Sequence, residues 1–323
     1  MRVALGQFSH PKPEFLFFAR QFGIQEVLLN TPMLPSENGT WALRDLVKLR
    51  SSVEQYGLRL AAIENVPIGF YDHIMLGGPR RNEQIEKMVV TIRNIARAGV
   101  PLFGYHWMPT GVWRTDTSAI RGGAVATSFD YSKAKRYPAA YQREYSEEEL
   151  WQLFEEWIRI IIPVAEEEGI KLGVHPCDPP VPALAGVPQL FYSFASFKRL
   201  IEIVDSPSNC IEFCQGTFSE MEDSKNDGIY DMIDYFAGRK KILYTHFRNV
   251  SDTVPVFSEE FIDSGYVDMP RAMGIYAKNH YDSFFIADHV PHTAGDSEWG
   301  HRGRAYALGY IKALIETAKR EGF

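Results

Sequence analysis

Eight short apolar runs, rich in β-branched residues, alternate with longer segments of helical period along nearly the whole 323-residue chain. Such spacing admits few folds. The runs are "RVALGQ" (2–7), "EVLLN" (26–30), "RLAAIENV" (59–66), "LFGYHWM" (102–108), "KLGVHP" (171–176), "CIEFCQG" (210–216), "ILYTHFRN" (242–249) and "FFIADH" (284–289). Helical period occupies Pro13–Phe22, Trp41–Tyr56, Asn82–Ala98, Ser146–Glu168, Ser196–Val204, Ile229–Gly238, Met269–Asn279 and Gly303–Glu321. Several of these segments stop at glycine, as in "EQYG", "ARAG" and "EEEG", the usual punctuation of a helix C-terminus. A strand followed by a helix, eight times over, predicts an α/β fold: a single (β/α)8 TIM barrel domain spanning 1–323, in preference to an open doubly wound sheet. No Gly-x-Gly-x-x-Gly follows any run, which argues against a nicotinamide or flavin site.

One connection is out of proportion. The stretch 109–145 separates the fourth run from its helix and is rich in Arg, Thr, Ser, Gly and aromatic residues, the composition of a lid-like or binding loop. Hydrophobic residues make up 45% of the chain and charged residues 23%, enough apolar surface to bury a large core. A net charge of −7, with no run of lysines and arginines, argues against nucleic acid or an anionic membrane surface as partner and for a small molecule. The opening "MRVALGQF" lacks a charged leader with an apolar core, and no stretch approaches the roughly 20 apolar residues that span a bilayer. The expectation is a cytoplasmic protein. Three cysteines, an odd number, fit free thiols in a reducing compartment better than a disulfide framework.

In a barrel of this kind the site is built at the C-terminal ends of the strands. Those ends carry Glu64, His106, His175, Cys214, His246 and then Asp288 with His289. Four successive strands therefore deliver His, Cys, His and Asp to one point. Singly, each has an ordinary structural explanation, but packing gives no reason to gather a carboxylate, two imidazoles and a thiol, because an uncompensated buried carboxylate is costly. A divalent cation supplies the compensation. The expected ligands are His175, Cys214, His246 and Asp288, a set that suits a transition ion better than Mg2+ or Ca2+. An octahedral ion with open positions for a substrate's carboxylate and hydroxyl points to Mn2+ or Fe2+.

The neighbours are weighed in the same way. Asp178, in "HPCDPP", either orients a ligand histidine or caps the next segment. Period-two alternation puts Cys210 on the same strand face as Cys214 but away from its C-terminal end, so Cys210 and Cys177 are bystanders. Arg248 and Arg114 are candidates to fork a substrate carboxylate, or else form salt bridges. Glu64, His106 and His292 complete the candidate substrate contacts.

Taken together, "YHWMPTGVWRTD", "IIPVAEEEGIKLGVHPCDPP", "FCQGTFSE", "YTHFRN", "GYVDMPRAM" and "ADH", in this order, resemble the mannonate dehydratase family, within the wider group of xylose-isomerase-like metal-dependent barrels. The resemblance runs from about Ile63 to the C-terminus. It implies a metal-dependent hydro-lyase that converts D-mannonate to 2-keto-3-deoxy-D-gluconate in hexuronate catabolism, and a homo-oligomer, dimer or larger. It also matches His175, Cys214, His246 and Asp288 to the family's metal ligands and His289 to a catalytic acid/base. The family's Asp–His is followed by Gly–His, whereas here the second histidine, His292, arrives one residue later. The family's tyrosine near the start of the last helix aligns with Ala305, leaving Tyr306 beside it as the candidate partner of His289. Two alternatives remain: a sugar isomerase or epimerase of the same barrel group, and a sugar-acid binding protein without catalysis.

Overall fold

The structure is a computed structural model that describes residues 1–320. The strand–helix alternation is β1 (Arg2–Leu5), α1 (Pro13–Gln21), β2 (Glu26–Asn30), α2 (Leu43–Glu54), β3 (Arg59–Glu64), α3 (Arg81–Arg97), β4 (Leu102–His106), α4 (Glu147–Glu168), β5 (Lys171–His175), α5 (Phe194–Ile203), β6 (Asn209–Cys214), α6 (Gly228–Gly238), β7 (Ile242–His246), α7 (Met269–Lys278), β8 (Phe284–Ile286) and α8 (His301–Arg320). All eight strands run parallel, each beside its neighbour in sequence, and β8 closes against β1. The expected (β/α)8 barrel is the observed fold.

Strands buried on both faces read as continuous apolar runs, and β2 is the clearest case: Val27, Leu28 and Leu29 are all buried. One face packs the barrel axis, with Ala4, Leu28, Ala61, Ala62, Leu243, Tyr244, Phe284 and Ile286. The other packs the surrounding helices, and α4 shows how. Its buried Leu150, Trp151, Phe154, Trp157, Ile158, Ile161, Ile162 and Ala165 recur at three- and four-residue intervals and form one stripe. Burial of each large side chain in that stripe contributes about 1.5–3 kcal/mol. Ser146 caps the helix by accepting from the Glu149 N–H at 3.1 Å, three glutamates occupy the first turn, and Gly169, at φ 68°, closes it in the left-handed conformation.

Two expectations need correction. The last strand does not reach His289; it stops at Ile286. The carbonyls of Ala287 and Asp288 each accept from Arg304 Nη1 of α8 at 2.8 Å, so the chain bends away from the sheet there. The stretch 109–145 is no open loop. It contains an antiparallel hairpin, Asp116–Ala119 with Val125–Asp130, and a short helix, Tyr131–Ala134. The hairpin joins Val256–Glu260 and Asn249–Val250, which follow β7, in a four-stranded sheet beside the C-terminal end of the barrel. The helix expected to end at Glu321 is described as far as Arg320; Glu321 lies outside the described residues.

Gly104 of β4 faces the barrel axis, where a Cβ would overlap both the Tyr244 hydroxyl and Glu212 Oε2. Both neighbours are fully buried. Overpacking of this kind costs about 1–3 kcal/mol. Gly104→Ala is expected to lower the unfolding free energy by that amount, seen as a lower urea midpoint at unchanged slope; an unshifted midpoint would show that the axis has room to spare.

Candidate active site

Three donors converge at the ends of β5, β6 and β7. One ligand atom each from His175, Cys214 and His246 lies within 4.8 Å of the others, and all three residues are buried. Asp288 joins them from the bend after β8, its Oδ2 standing 3.9 Å from Cys214 Sγ and 3.6 Å from His246 Nδ1. His175 Nδ1 donates to the Pro176 carbonyl at 2.7 Å, which leaves Nε2 for the cluster. His246 Nδ1 is buried with no hydrogen-bond partner among the described residues. A bare imidazole nitrogen beside a thiol and a carboxylate is the donor set of a divalent transition ion, so these residues fit the expected metal.

The charges agree. Burial opposes ionisation of Cys214, but the Arg248 charge and the two imidazoles outweigh it and bring the thiol down to about 5. No guanidinium or imidazole acts on the other two cysteines, and burial pushes Cys177 to about 12 and, against Lys171 and Lys241, Cys210 to about 11. Burial also opposes the charge on Asp288, yet His289, His246 and Arg248 hold it well below the ordinary carboxylate range.

Around this group lies a buried ionic network that the sequence reading assigned in part to substrate. Arg248, 2% exposed, donates from Nε to Asp288 at 3.0 Å, and from Nη1 to Glu220 at 2.9 Å and Glu259 at 2.8 Å. Its Nη2 reaches Thr217 at 2.9 Å and Asp178 at 3.3 Å. Arg114 pairs with Asp178 through both Nη atoms and with Glu259 at 2.6 Å. In this structure the forks of both arginines are taken by the protein's own carboxylates, the arrangement of the salt-bridge alternative. Gly216, on the short helix Gln215–Glu220, lets Arg248 pass where a Cβ would overlap its side chain. Glu220 alone among these acids is raised above the usual range, by burial and then by Asp178.

His289, next to the donor cluster, opens to a cavity. Its side chain is 40% exposed, and its Nδ1 lies 2.9 Å from Glu259 Oε1. Burial lowers its proton affinity, but Asp288 and Glu259 reverse this and raise it. The cavity, of about 280 Å³, is lined by Ala126, Thr127, Glu259, His289, Val290, His292, Glu298, Trp299 and Arg304. His292 is exposed, and its backbone bonds that of Val125 in both directions, at 3.0 and 2.8 Å, tying the hairpin to the pocket wall.

The remaining expected residues lie elsewhere. His106 is adjacent to His175 across the β4–β5 ladder, but its ring nitrogens already meet the Tyr71 hydroxyl and the Met108 N–H, both at 3.3 Å. Burial, then His175, lowers it to about 3, so it is neutral. Glu64 does not face the cavity: it accepts from Asn30 at 2.6 Å and meets His246 Nε2 at 3.1 Å, on the side of the ring away from the other donors. Tyr306 is half-exposed, packs edge-on against Phe261 and lies beside the Arg121–Asp263 pair; it shares only a narrow crevice with His289. The sequence reading missed Glu212, Glu220 and Glu259. Glu212 had a signal, since it lies between Cys210 and Cys214 on their face of β6; Glu220 and Glu259 had none local to them.

Fold and site define the class: a (β/α)8 enzyme with an ionised, donor-rich cleft at the C-terminal strand ends. The family profile for D-mannonate dehydratase (UxuA) matches residues 1–140 and 132–323. The chain is 30% identical to the mannonate dehydratase of Streptococcus pneumoniae over 312 residues, covering 87% of this chain and 84% of that one. It is also 30% identical to mannonate dehydratase 2 of Halalkalibacterium halodurans over 347 aligned positions, covering 98% and 97%. The crystal structure of the mannonate dehydratase from Streptococcus suis superposes with a TM-score of 0.90 at 28% identity, covering 99% of this chain and 94% of that one. The chain belongs to the mannonate dehydratase family of hydro-lyases.

Removing Arg248 would leave Asp288, Glu220 and Glu259 buried without their shared cation. Breaking a buried pair in this way costs about 3–5 kcal/mol. Arg248→Ala is expected to lose at least that much stability in urea denaturation, and an unaffected variant would mean that the network is not ionised as described.

Proposed function

We propose that the protein dehydrates D-mannonate to 2-keto-3-deoxy-D-gluconate, using Mn2+ or Fe2+ held by His175, Cys214, His246 and Asp288. The observation that carries the metal reading is the bare Nδ1 of His246 beside the Cys214 thiolate and the Asp288 carboxylate. Family membership carries the reaction class. A bound ion of this kind supplies Lewis acidity to a substrate carboxylate and hydroxyl, which eases loss of the proton next to the carboxylate.

The reaction moves a proton from C2 and a hydroxyl from C3, which leaves with a proton as water. The enol that results gives up its hydroxyl proton and takes one at C3 to become the 2-keto-3-deoxy acid. His289 is the group assigned to this proton traffic. It borders the cavity, while Glu259, held between Arg248 and Arg114, receives its Nδ1–H and so leaves Nε2 for the substrate. Tyr306 is the second candidate proton carrier, through the crevice it shares with His289. His292, Thr127 and Glu298 line the remaining walls, where the sugar acid's distal hydroxyls would lie. The proposal includes a cytoplasmic homo-oligomer acting in hexuronate catabolism.

The test is a 2-keto-3-deoxy acid assay on purified protein of known metal content, with mannonate among a panel of aldonic acids. Turnover should vanish on chelation and return with Mn2+ or Fe2+. His289→Ala should lower kcat by about 100- to 10,000-fold, the contribution of a positioned acid/base, and Tyr306→Phe by less. A flat assay across fully metallated protein and the whole panel would reject dehydration, and exchange of the C2 proton with solvent without loss of water would favour an isomerase or epimerase.

A further inference from the structure

Inside the barrel, below the cluster of donors, lies a second group of side chains that shares His246 with it and adds two acids the reaction does not use. Glu64 of β3, Glu212 of β6 and His246 of β7 present ligand-type atoms within 4.8 Å of one another, all buried. His246 Nε2 is 3.1 Å from Glu64 Oε2 and 3.3 Å from Glu212 Oε1. Glu64 is itself held from the far side: Asn30 Nδ2, at the end of β2, donates to its Oε1 at 2.6 Å, and Gln7 Nε2 donates to Oε1 at 3.3 Å and to Oε2 at 3.4 Å. Oε2 also faces the imidazole. Neither oxygen of Glu212 has a hydrogen-bond partner among the described residues, although the side chain is fully buried. Two carboxyl groups thus flank one nitrogen of His246, that of Glu64 in hydrogen-bond contact and that of Glu212 beside it, while its other nitrogen, Nδ1, is bare and faces Asp288.

We propose that Glu64 and Glu212 are positioning residues for His246: they hold its proton on Nε2 and its ring in the orientation that presents the Nδ1 lone pair to the metal. This rests on the metal reading proposed above. The physical reason is that a neutral imidazole has one N–H and one lone pair, and the acceptor nearest one nitrogen decides which is which. Carboxylates behind ligand histidines also raise ligand basicity, and their loss weakens metal binding by about ten- to a hundredfold. Asn30 and Gln7 extend the support to the ends of β2 and β1, so strands that bear no ligand still contribute to the site. Glu64, expected to touch substrate, acts from the opposite side of the ring.

The test uses the full chain, prepared metal-free, with Mn2+ alone as probe and the electron paramagnetic resonance signal of the free ion as readout. Wild type should bind one equivalent, and Glu64→Gln and Glu212→Gln should each bind it about ten- to a hundredfold more weakly, with the melting temperature of the metal-free protein not lowered. Histidine-selective 15N NMR of the metal-free protein, followed to a pH at which His246 carries a single proton, should show that proton on Nε2 in wild type and a mixture of tautomers in Glu64→Gln. Equal Mn2+ affinities across the three proteins, or an unchanged tautomer, would overturn the proposal. So would wild type binding two equivalents and Glu212→Gln one, since the carboxylates would then be ligands of a second ion. If wild type binds neither Mn2+ nor Fe2+, the metal reading falls, and the tautomer measurement decides the positioning role by itself. Should Glu64→Gln fail to fold, Glu212→Gln carries both measurements.

Discussion

Arg248 reaches from the segment after β7 across the top of the barrel and holds carboxylates contributed by four separate parts of the chain: Asp178, Glu220, Glu259 and Asp288. An isolated charge in such a place is prohibitive, and here the guanidinium, together with that of Arg114, makes the acids tolerable to one another. Everything functional hangs from this contact. Asp288 is turned toward His246 and Cys214 with one oxygen on Arg248, and Glu259 is turned toward His289 with its other oxygen on the same guanidinium. The four-stranded sheet beside the barrel exists in the same sense: it brings Arg114 and Glu259 to the network from segments about 145 residues apart in sequence.

The barrel was legible because its grammar is local. A strand buried on both faces is a continuous apolar run, as at Val27–Leu29, and a helix with one buried stripe repeats at three and four, as along α4. The metal-type donors were legible for a related reason, since strand number and strand end place His175, Cys214 and His246 without knowledge of packing. Where partners are distant in sequence, local pattern fails. Nothing near Arg248 or Arg114 announces that their forks are full, because the carboxylates that fill them lie on other elements. The hairpin at 116–130 has an exposed first strand, "DTSA", whose pairing residues carry no apolar alternation, so it reads as loop until Val256–Glu260 is known to lie beside it.

Asp288 and His289 illustrate how a side-chain contact can settle a backbone question. In a regular strand, consecutive residues point to opposite faces, and the pair could not serve one cleft. Arg304, from α8, takes the carbonyls of Ala287 and Asp288 in place of the sheet, and the bend lets the carboxylate meet His246 while the imidazole meets Glu259. The last helix thereby takes part in the chemistry through a residue that touches neither donor nor proton carrier side chain by hydrogen bond.

The empty position at Gly104 has a historical implication. Its lack of a side chain matters only because Glu212 and Tyr244 fill the axis beside it. In descent, the three positions are therefore not free to drift separately. A lineage that exchanged both Glu212 and Tyr244 for smaller residues would release Gly104 to acquire a methyl group, and once it had, neither the carboxyl group nor the phenol could return without first undoing that change. The barrel axis acts as a ratchet, in which the order of substitutions decides which side chains can stand behind His246.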